Sequence, residues 1–368
     1  MSEASAKQHA PASPVQAEVI DWGVTRLVAR RVAGADPFAD SYLSSSLTRD
    51  FAECTNRAAE LVSAYTGLTV AGPTAGIVVS RREWIDSNVR SMQRLLAPLA
   101  ERMGLRLGPL GMVSRRVTGV QSGIVLGFMA QRVLGQYDLF FADDTQTDAV
   151  FYVGGNILSL EKRFAFRPQA FRLWIALHEV THRAQFAGVP WLRAYFLSLV
   201  DELFAHSEPD WEQMTRAARA AAVRIRNRQA PWDESGLLGL VASAEQRATI
   251  ERIQALMTLL EGHGNAVMNA LGQEHVEGQE RMAATLAARR NPRGFMAIVQ
   301  RLFGLEAKLR QYDLGERFVQ RITDLGGPEA IRWAWTSPEA LPTTLELEAP
   351  ADWIARMRTA TGSHAEDR

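Results

Sequence analysis

One segment limits what this chain can become. Between Pro168 and Gly188 the sequence runs Phe171-Arg172-Leu173-Trp174-Ile175-Ala176-Leu177 and then, without a break, His178-Glu179-Val180-Thr181-His182. Pro168 suits a first helical position, and Gly188 with Pro190 supplies a stop, so the pattern predicts a helix from Pro168 to about Ala187. Its apolar flank marks it as a core helix. Two imidazoles and a carboxylate are costly to bury on such a helix without a purpose.

Helix geometry suggests that purpose. Positions i and i+4 lie one above the other on one face, so His178 and His182 can direct two ring nitrogens at a single Zn²⁺, at about 2.0–2.1 Å each. Glu179 falls beside that face. There it can hydrogen-bond a zinc-bound water and act as general base instead of binding the metal. The expectation is a zinc-dependent hydrolase, and a metallopeptidase before other kinds. Two readings compete with it. One is a non-catalytic protein in which zinc cross-links helices and a cleft binds a partner. The other is a metal-dependent hydrolase of small molecules.

A catalytic zinc site needs a third protein ligand and an open fourth position. Asp201, Glu202, His206, Glu208 and Asp210 follow His182 within about 30 residues but form no ligand pattern. Farther on, Met257, Glu261, Gly264 and Met268 share one helical face, so Glu261 is a carboxylate on an apolar stripe, and a buried carboxylate must be paired, protonated or metal-bound. Glu261 is the expected third ligand. His263 is the alternative, but it lies about 200° around the helix from Glu261, so the two do not easily reach one ion. His263 would then stand behind the ligands. Tyr195 and Tyr312 are candidate donors to an oxyanion, with a structural hydroxyl as the plainer reading. Arg183 occupies a position that is usually uncharged in peptidases, and it can support the site or pair with Glu261. His206 and His275 lie in polar surroundings and read as surface residues.

Composition narrows the partners. Lys plus Arg and Asp plus Glu number 41 each in 368 residues, a balance that argues against a nucleic-acid partner. Cys54 is the only cysteine, which excludes an internal disulfide and a cysteine-rich zinc site. Gly154-Gly155 lacks the context of a nucleotide-binding loop. No run approaches the roughly 18 apolar residues that span a bilayer. Residues 1–16 are rich in Ala, Ser and Pro without a signal-like core, and read as a disordered tail. The expected location is the cytoplasm, and the expected partner is a peptide or small-molecule substrate.

The remaining pattern is that of a mainly α chain, α+β in class, with one small β-hairpin before the HExxH helix. Helices are expected at 20–35, 40–66, from Ser80 to about Leu99, and at 121–135, 191–206, 211–228, 244–271, 293–312 and 314–325. Leu139–Phe141 and Ala149–Val153 should form the hairpin, ending at Gly154-Gly155-Asn156 and able to hold an extended peptide by strand addition. Residues 17–358 read as one domain. Its parts are a helical region (17–137), the metal-site region (138–330) and a Pro- and Trp-rich segment (331–358) expected to wrap the surface. Residues 359–368 should fray.

With those residues in hand, the chain resembles a family of zincin-like zinc hydrolases, a family also linked by name to deazaflavin-coenzyme biosynthesis. The resemblance runs from about residue 20 to 356. It rests on Arg82–Asn88, Val133–Asp138, Trp174–Phe186, Pro190–Arg193, Leu260–Gly264 and Lys308–Tyr312. It implies a zincin-like fold, Zn²⁺ as cofactor, His178, His182 and Glu261 as ligands and Glu179 as base. It implies no substrate.

Overall fold

The structure is a computed structural model that describes residues 20–39, 41–102, 109–137, 148–205, 243–290 and 305–366. The long helices are α1 (Trp22–Ala33), α2 (Leu47–Thr66), α3 (Arg81–Arg102), α4 (Pro109–Ala130), α5 (Gly154–Phe164), α6 (Pro168–Gly188), α7 (Leu192–Ala205), α8 (Ala244–His275), α9 (Gln279–Arg290) and α10 (Leu305–Gly326). Short α11 (Thr344–Glu348) and α12 (Pro350–Glu366) close the described chain. The fold is mainly α with a small sheet, as expected.

The sheet has three strands in the order β1-β3-β2. Central β3 (Ala149–Val153) runs parallel to β1 (Ala75–Val79), with Ala75 opposite Ala149, and antiparallel to β2 (Gly135–Tyr137), with Gly135 opposite Tyr152. β2 and β3 pair as the expected antiparallel hairpin ahead of the HExxH helix, and β1 adds a third strand to it. The strand before β3 lies at 135–137, where a helix was expected to end, and residues 139–141 lie outside the described residues. β1 was not anticipated, because Gly76-Ile77-Val78-Val79 is too short to show a period and its partner is distant in sequence. β3 ends at Val153, so Gly154-Gly155-Asn156 closes the hairpin as expected and opens α5. There the Asn156 amide donates to the carbonyls of Ala130 (2.8 Å) and Val133 (2.7 Å) and accepts from Arg81 Nε (2.8 Å), tying the end of α4 to the approach of β2.

Other expectations also shift. α10 runs unbroken through Tyr312-Asp313-Leu314, where two helices were expected, because Gly315 is packed against α8 and does not terminate the helix. The helices expected at 211–228 and over 293–304 lie outside the described residues. Residues 331–358 do not wrap the surface. Trp335, Ala340, Trp353, Ile354 and Met357 are buried against Leu256, Leu259 and Phe318. The indole N–H of Trp353 donates to the Ala340 carbonyl at 2.9 Å, so this large apolar ring is buried without leaving a polar atom unsatisfied. The final helix continues to Glu366.

The described core has three parts. One gathers α2, β3, α5, α6 and the C-terminal half of α8 around Phe51, Tyr152, Phe171 and Leu177. A second gathers α7, the N-terminal half of α8, α10 and the C-terminal segment. The third joins α1, α3 and α4. Helix α6 is buried on nearly every side from Phe171 to Leu177, which explains the absence of an amphipathic period there. The buried Arg172 fork fixes its first turns, reaching Glu161 on α5 at 2.8 and 2.9 Å and Asp50 on α2. His178 and His182 follow, where α6 meets α8 at the seam between the first two cores. Among the described residues no helix is long and apolar enough to cross a membrane.

Candidate metal centre

Helix α8 crosses α6 in the antiparallel sense, with Leu260 near Gln185, Gly264 near the two histidines and Gly272 near Trp174. The crossing is close because the side chain is missing where contact is tightest. A Cβ on Gly264 would sit 3.1 Å from His182 Cε1 and 3.4 Å from His178 Cε1. On the opposite face, a Cβ on Gly262 would fall 2.1 Å from the backbone carbonyl carbon of Gly315 on α10. Leu260-Glu261-Gly262-His263-Gly264 thus lets α8 press against α6 and α10 at one level.

The same crossing brings Glu261 to the histidines. His178 Nε2 and His182 Nε2 are 3.2 Å apart, with their rings nearly perpendicular at 83°. Glu261 Oε2 lies 3.7 Å from His178 Nε2 and 3.6 Å from His182 Nε2. Three donors tetrahedrally placed at about 2.0–2.1 Å from one zinc would stand about 3.3–3.4 Å apart. The observed triangle therefore fits that ion, and two imidazoles with one carboxylate are a donor set that catalytic zinc uses. Among the described residues this trio is the group of His, Cys, Asp and Glu able to hold a metal ion. All three side chains keep some exposure, 15–21%, so the centre is not sealed.

Glu179 points elsewhere, as its position on the helix requires. It is buried against β2, where a Cβ on Gly135 would lie 2.5 Å from its Cγ and 2.9 Å from its Oε1. The backbone N–H of Tyr137 donates to its carboxylate. In the ladder with β3, Val153 N–H donates to the Leu134 carbonyl, so the backbone groups of Gly135 and Tyr137 face the outer edge of the sheet. That edge is where Glu179 rests. Burial raises its carboxyl pKa to about 7, with the charge of Glu261 adding to the rise, while the charge of His182 and the Tyr137 N–H hold it back. Burial works against a charged His182, but hydrogen bonding and attraction to Glu261 prevail and carry its pKa up to about 9.

Behind His182 lies a chain of hydrogen bonds. His182 Nδ1 meets Gln185 Oε1 at 2.9 Å, and Gln185 Nε2 meets both the Leu260 carbonyl (3.0 Å) and His263 Nδ1 (2.9 Å). His263 is fully enclosed and inclined over Trp335, and burial lowers its pKa to about 3, with the charge of His182 contributing. It stands behind the ligands and not among them.

The other expected residues separate. Arg183 is buried and pairs with Asp148 at 2.7 Å, not with Glu261. Asp148 also accepts the Tyr137 hydroxyl, so this cluster holds β2 against α6 on the side of Glu179. Tyr195 packs on Trp191 and is hydrogen-bonded to Arg252, more than two turns of α8 away from Glu261, so it does not join the trio. The Tyr312 side chain lies outside the described residues, as do His206, Glu208 and Asp210. Glu202 is taken up by Arg252 and Thr249. His275 sits near Glu274 at the end of α8. Sequence reasoning missed Gln185, Gly135 and Tyr137. Gln185 had a signal, since it follows His182 by three residues and such pairs are helix neighbours. Gly135 and Tyr137 lie in a segment that carries the family resemblance, but no local spacing ties them to Glu179, because strand pairing alone brings them there.

Compared with known proteins, the chain matches a family of zincin-like metallopeptidases over residues 20–354. A search of curated proteins gives no match. Among solved structures, a candidate hydrolase with a novel fold from Chloroflexus aurantiacus is 32% identical, with a TM-score of 0.66, over 92% of this chain and 99% of that one. The family implies a metal, usually zinc, and hydrolytic chemistry. The match spans both helices that meet at the His178, His182 and Glu261 triangle, and the chain belongs to the zincin-like metallopeptidase family.

Proposed function

We propose that this protein is a zinc-dependent hydrolase acting on peptide bonds, with His178, His182 and Glu261 holding the metal and Glu179 as general base. One observation carries the reading: three donors spaced for a single tetrahedral ion, with a fourth, non-ligating carboxylate held beside them by a strand edge. Bound there, zinc would acidify water and polarise a substrate carbonyl. The chain's own groups do the rest. Glu179 takes a proton onto its carboxylate and returns it to the leaving amine, a task suited to a group whose pKa lies near the working pH. Gly135 leaves room for that carboxylate, and Tyr137 N–H fixes its direction. Among the described residues β2 is an outer strand of the sheet, and its outer edge is taken by Glu179 at the same two residues.

The test pairs metal analysis with turnover. Purified protein is expected to carry one equivalent of zinc, lost in His178→Ala. Glu179→Gln is expected to keep the zinc and lose hydrolysis of a peptide panel. A Glu179→Gln variant that turns over normally rejects the base assignment. Cleavage of small amides and esters but no peptide would replace the peptidase reading with a small-molecule one.

A further inference from the structure

An imidazole can offer a metal either ring nitrogen, and which one it offers is set by what the other nitrogen bonds. His182 therefore needs something to decide its tautomer. A carboxylate or a backbone carbonyl would do so directly, since each only accepts. Here the partner of His182 Nδ1 is Gln185, whose amide carries a donor at one end and an acceptor at the other. A primary amide can turn over, so it decides nothing until something fixes its orientation.

The fixing group is a backbone carbonyl. Leu260 C=O lies 3.0 Å from one end of the Gln185 amide and can only accept. That end must be the NH₂. Its second hydrogen goes to His263 Nδ1 at 2.9 Å, which must then be the unprotonated nitrogen of that ring. The other end is the oxygen, 2.9 Å from His182 Nδ1, so that nitrogen must carry a proton. The Nε2 lone pair of His182 is left for a metal, and Nε2 is the atom that faces His178 and Glu261. Leu260 is also the residue before Glu261. The Gln185 amide thus secures α8 at the carboxylate ligand while it sets the histidine on α6.

We propose that Gln185, held by the Leu260 carbonyl and by His263, is the positioning residue that commits His182 to bind metal through Nε2. This rests on the reading of the trio as a metal site, and its test is chosen to fail separately from that reading. Three proteins are compared: wild type, Gln185→Met and Gln185→Glu. Methionine fills the space but cannot accept from His182. Glutamate accepts in the same place but cannot donate to Leu260 and His263 as the amide does. Zinc affinity, measured by competition with a coloured chelator, is expected to fall 10- to 100-fold in Gln185→Met and to stay within a few-fold of wild type in Gln185→Glu. Equal losses in both variants would reduce Gln185 to a structural clamp between helices and overturn the proposal. So would wild-type affinity in Gln185→Met.

A measurement on the wild type guards against variants that fail to fold. In protein labelled with ¹⁵N-histidine, long-range ¹H–¹⁵N spectra are expected to show a hydrogen-bonded Nδ1–H on His182, with and without zinc, and Nε2 as its metal-bound nitrogen. They should also show His263 protonated at Nε2 only. Zinc on His182 Nδ1, or a proton on His263 Nδ1, overturns the relay. If the wild type takes up no zinc, the metal reading fails, and the metal-free signal of His263, protonated at Nε2 only or not, still decides the relay.

Discussion

Two glycines in one helical turn of α8 should respond in opposite ways to the same substitution. Gly262→Ala and Gly264→Ala each replace glycine in a helix interior, a change worth about 1 kcal/mol in favour of the helix. At Gly262 the new methyl would stand 2.1 Å from the Gly315 carbonyl carbon and 2.5 Å from its Cα and oxygen. Those atoms are backbone in a second helix and cannot rotate away. Relief requires α8 and α10 to part by roughly 1 Å, and a clash of this kind between backbones falls at the upper end of the overpacking range, about 2–3 kcal/mol. A net loss of about 1–2 kcal/mol is expected. At Gly264 the methyl meets only ring edges, at 3.1 Å from His182 and 3.4 Å from His178, so a shift of a few tenths of an ångström is enough. The metal-free protein should therefore keep its stability or gain up to about 1 kcal/mol. The cost appears on metal binding, because a zinc ligand tolerates only about 0.2 Å of misplacement and His182 cannot swing without stretching its 2.9 Å bond to Gln185. Zinc affinity should fall about 10- to 100-fold, as for other changes that misorient a ligand. Urea denaturation of the metal-free proteins measures the first effect, and chelator competition the second. A Gly262→Ala protein with the wild-type midpoint, or a Gly264→Ala protein with wild-type zinc affinity, would refute this account of the crossing.

Zinc affinity should also depend on pH through His182. Its folded pKa is raised from 6.5 to about 9, so in the metal-free protein this group contributes stability that is complete below pH 6.5 and is lost as pH rises through about 9. Zinc must displace that proton, so affinity should climb about tenfold per unit up to pH 9 and then level off, while metal-free stability declines over the same range. Titrations that show affinity flat between pH 7 and 9 would contradict the proposed coupling. Arg172→Met leaves Glu161 and Asp50 as buried or half-buried carboxylates without their cation, and should cost about 3–5 kcal/mol with a matching fall in urea midpoint. An unchanged midpoint would mean that this ion network does not anchor α6.

How much of this was legible in the sequence depends on the range of the interaction. The HExxH helix could be read because its evidence is local: Pro168 starts it, Gly188 ends it, and the four-residue spacing of His178 and His182 fixes their common face. Glu261 could be nominated from the same helical arithmetic, since a carboxylate on an apolar stripe calls for a partner. The position of Arg183 was visible as unusual, but its partner Asp148 was not. Local pattern failed where structure depends on distant pairing. β1 is a short apolar run whose strand partner follows far along the chain, and a Trp-rich segment taken for a surface strap carries part of the second core.

The chain by itself determined the donors: which helix carries two imidazoles, which carboxylate lies beside them, and which distant acid sits on a face with nothing polar to meet. Spacing along a helix is a property of the backbone and needs no tertiary contact. Only the fold decided that the donors meet and how each is held. Helices α6 and α8 approach closely enough because Gly264 lacks a side chain at their crossing, as Gly262 does where α8 meets α10. Glu179 is held beside the trio by a strand edge, and the tautomer of His182 follows from a carbonyl on another helix. Those are contacts between surfaces far apart in sequence, and no local period encodes them.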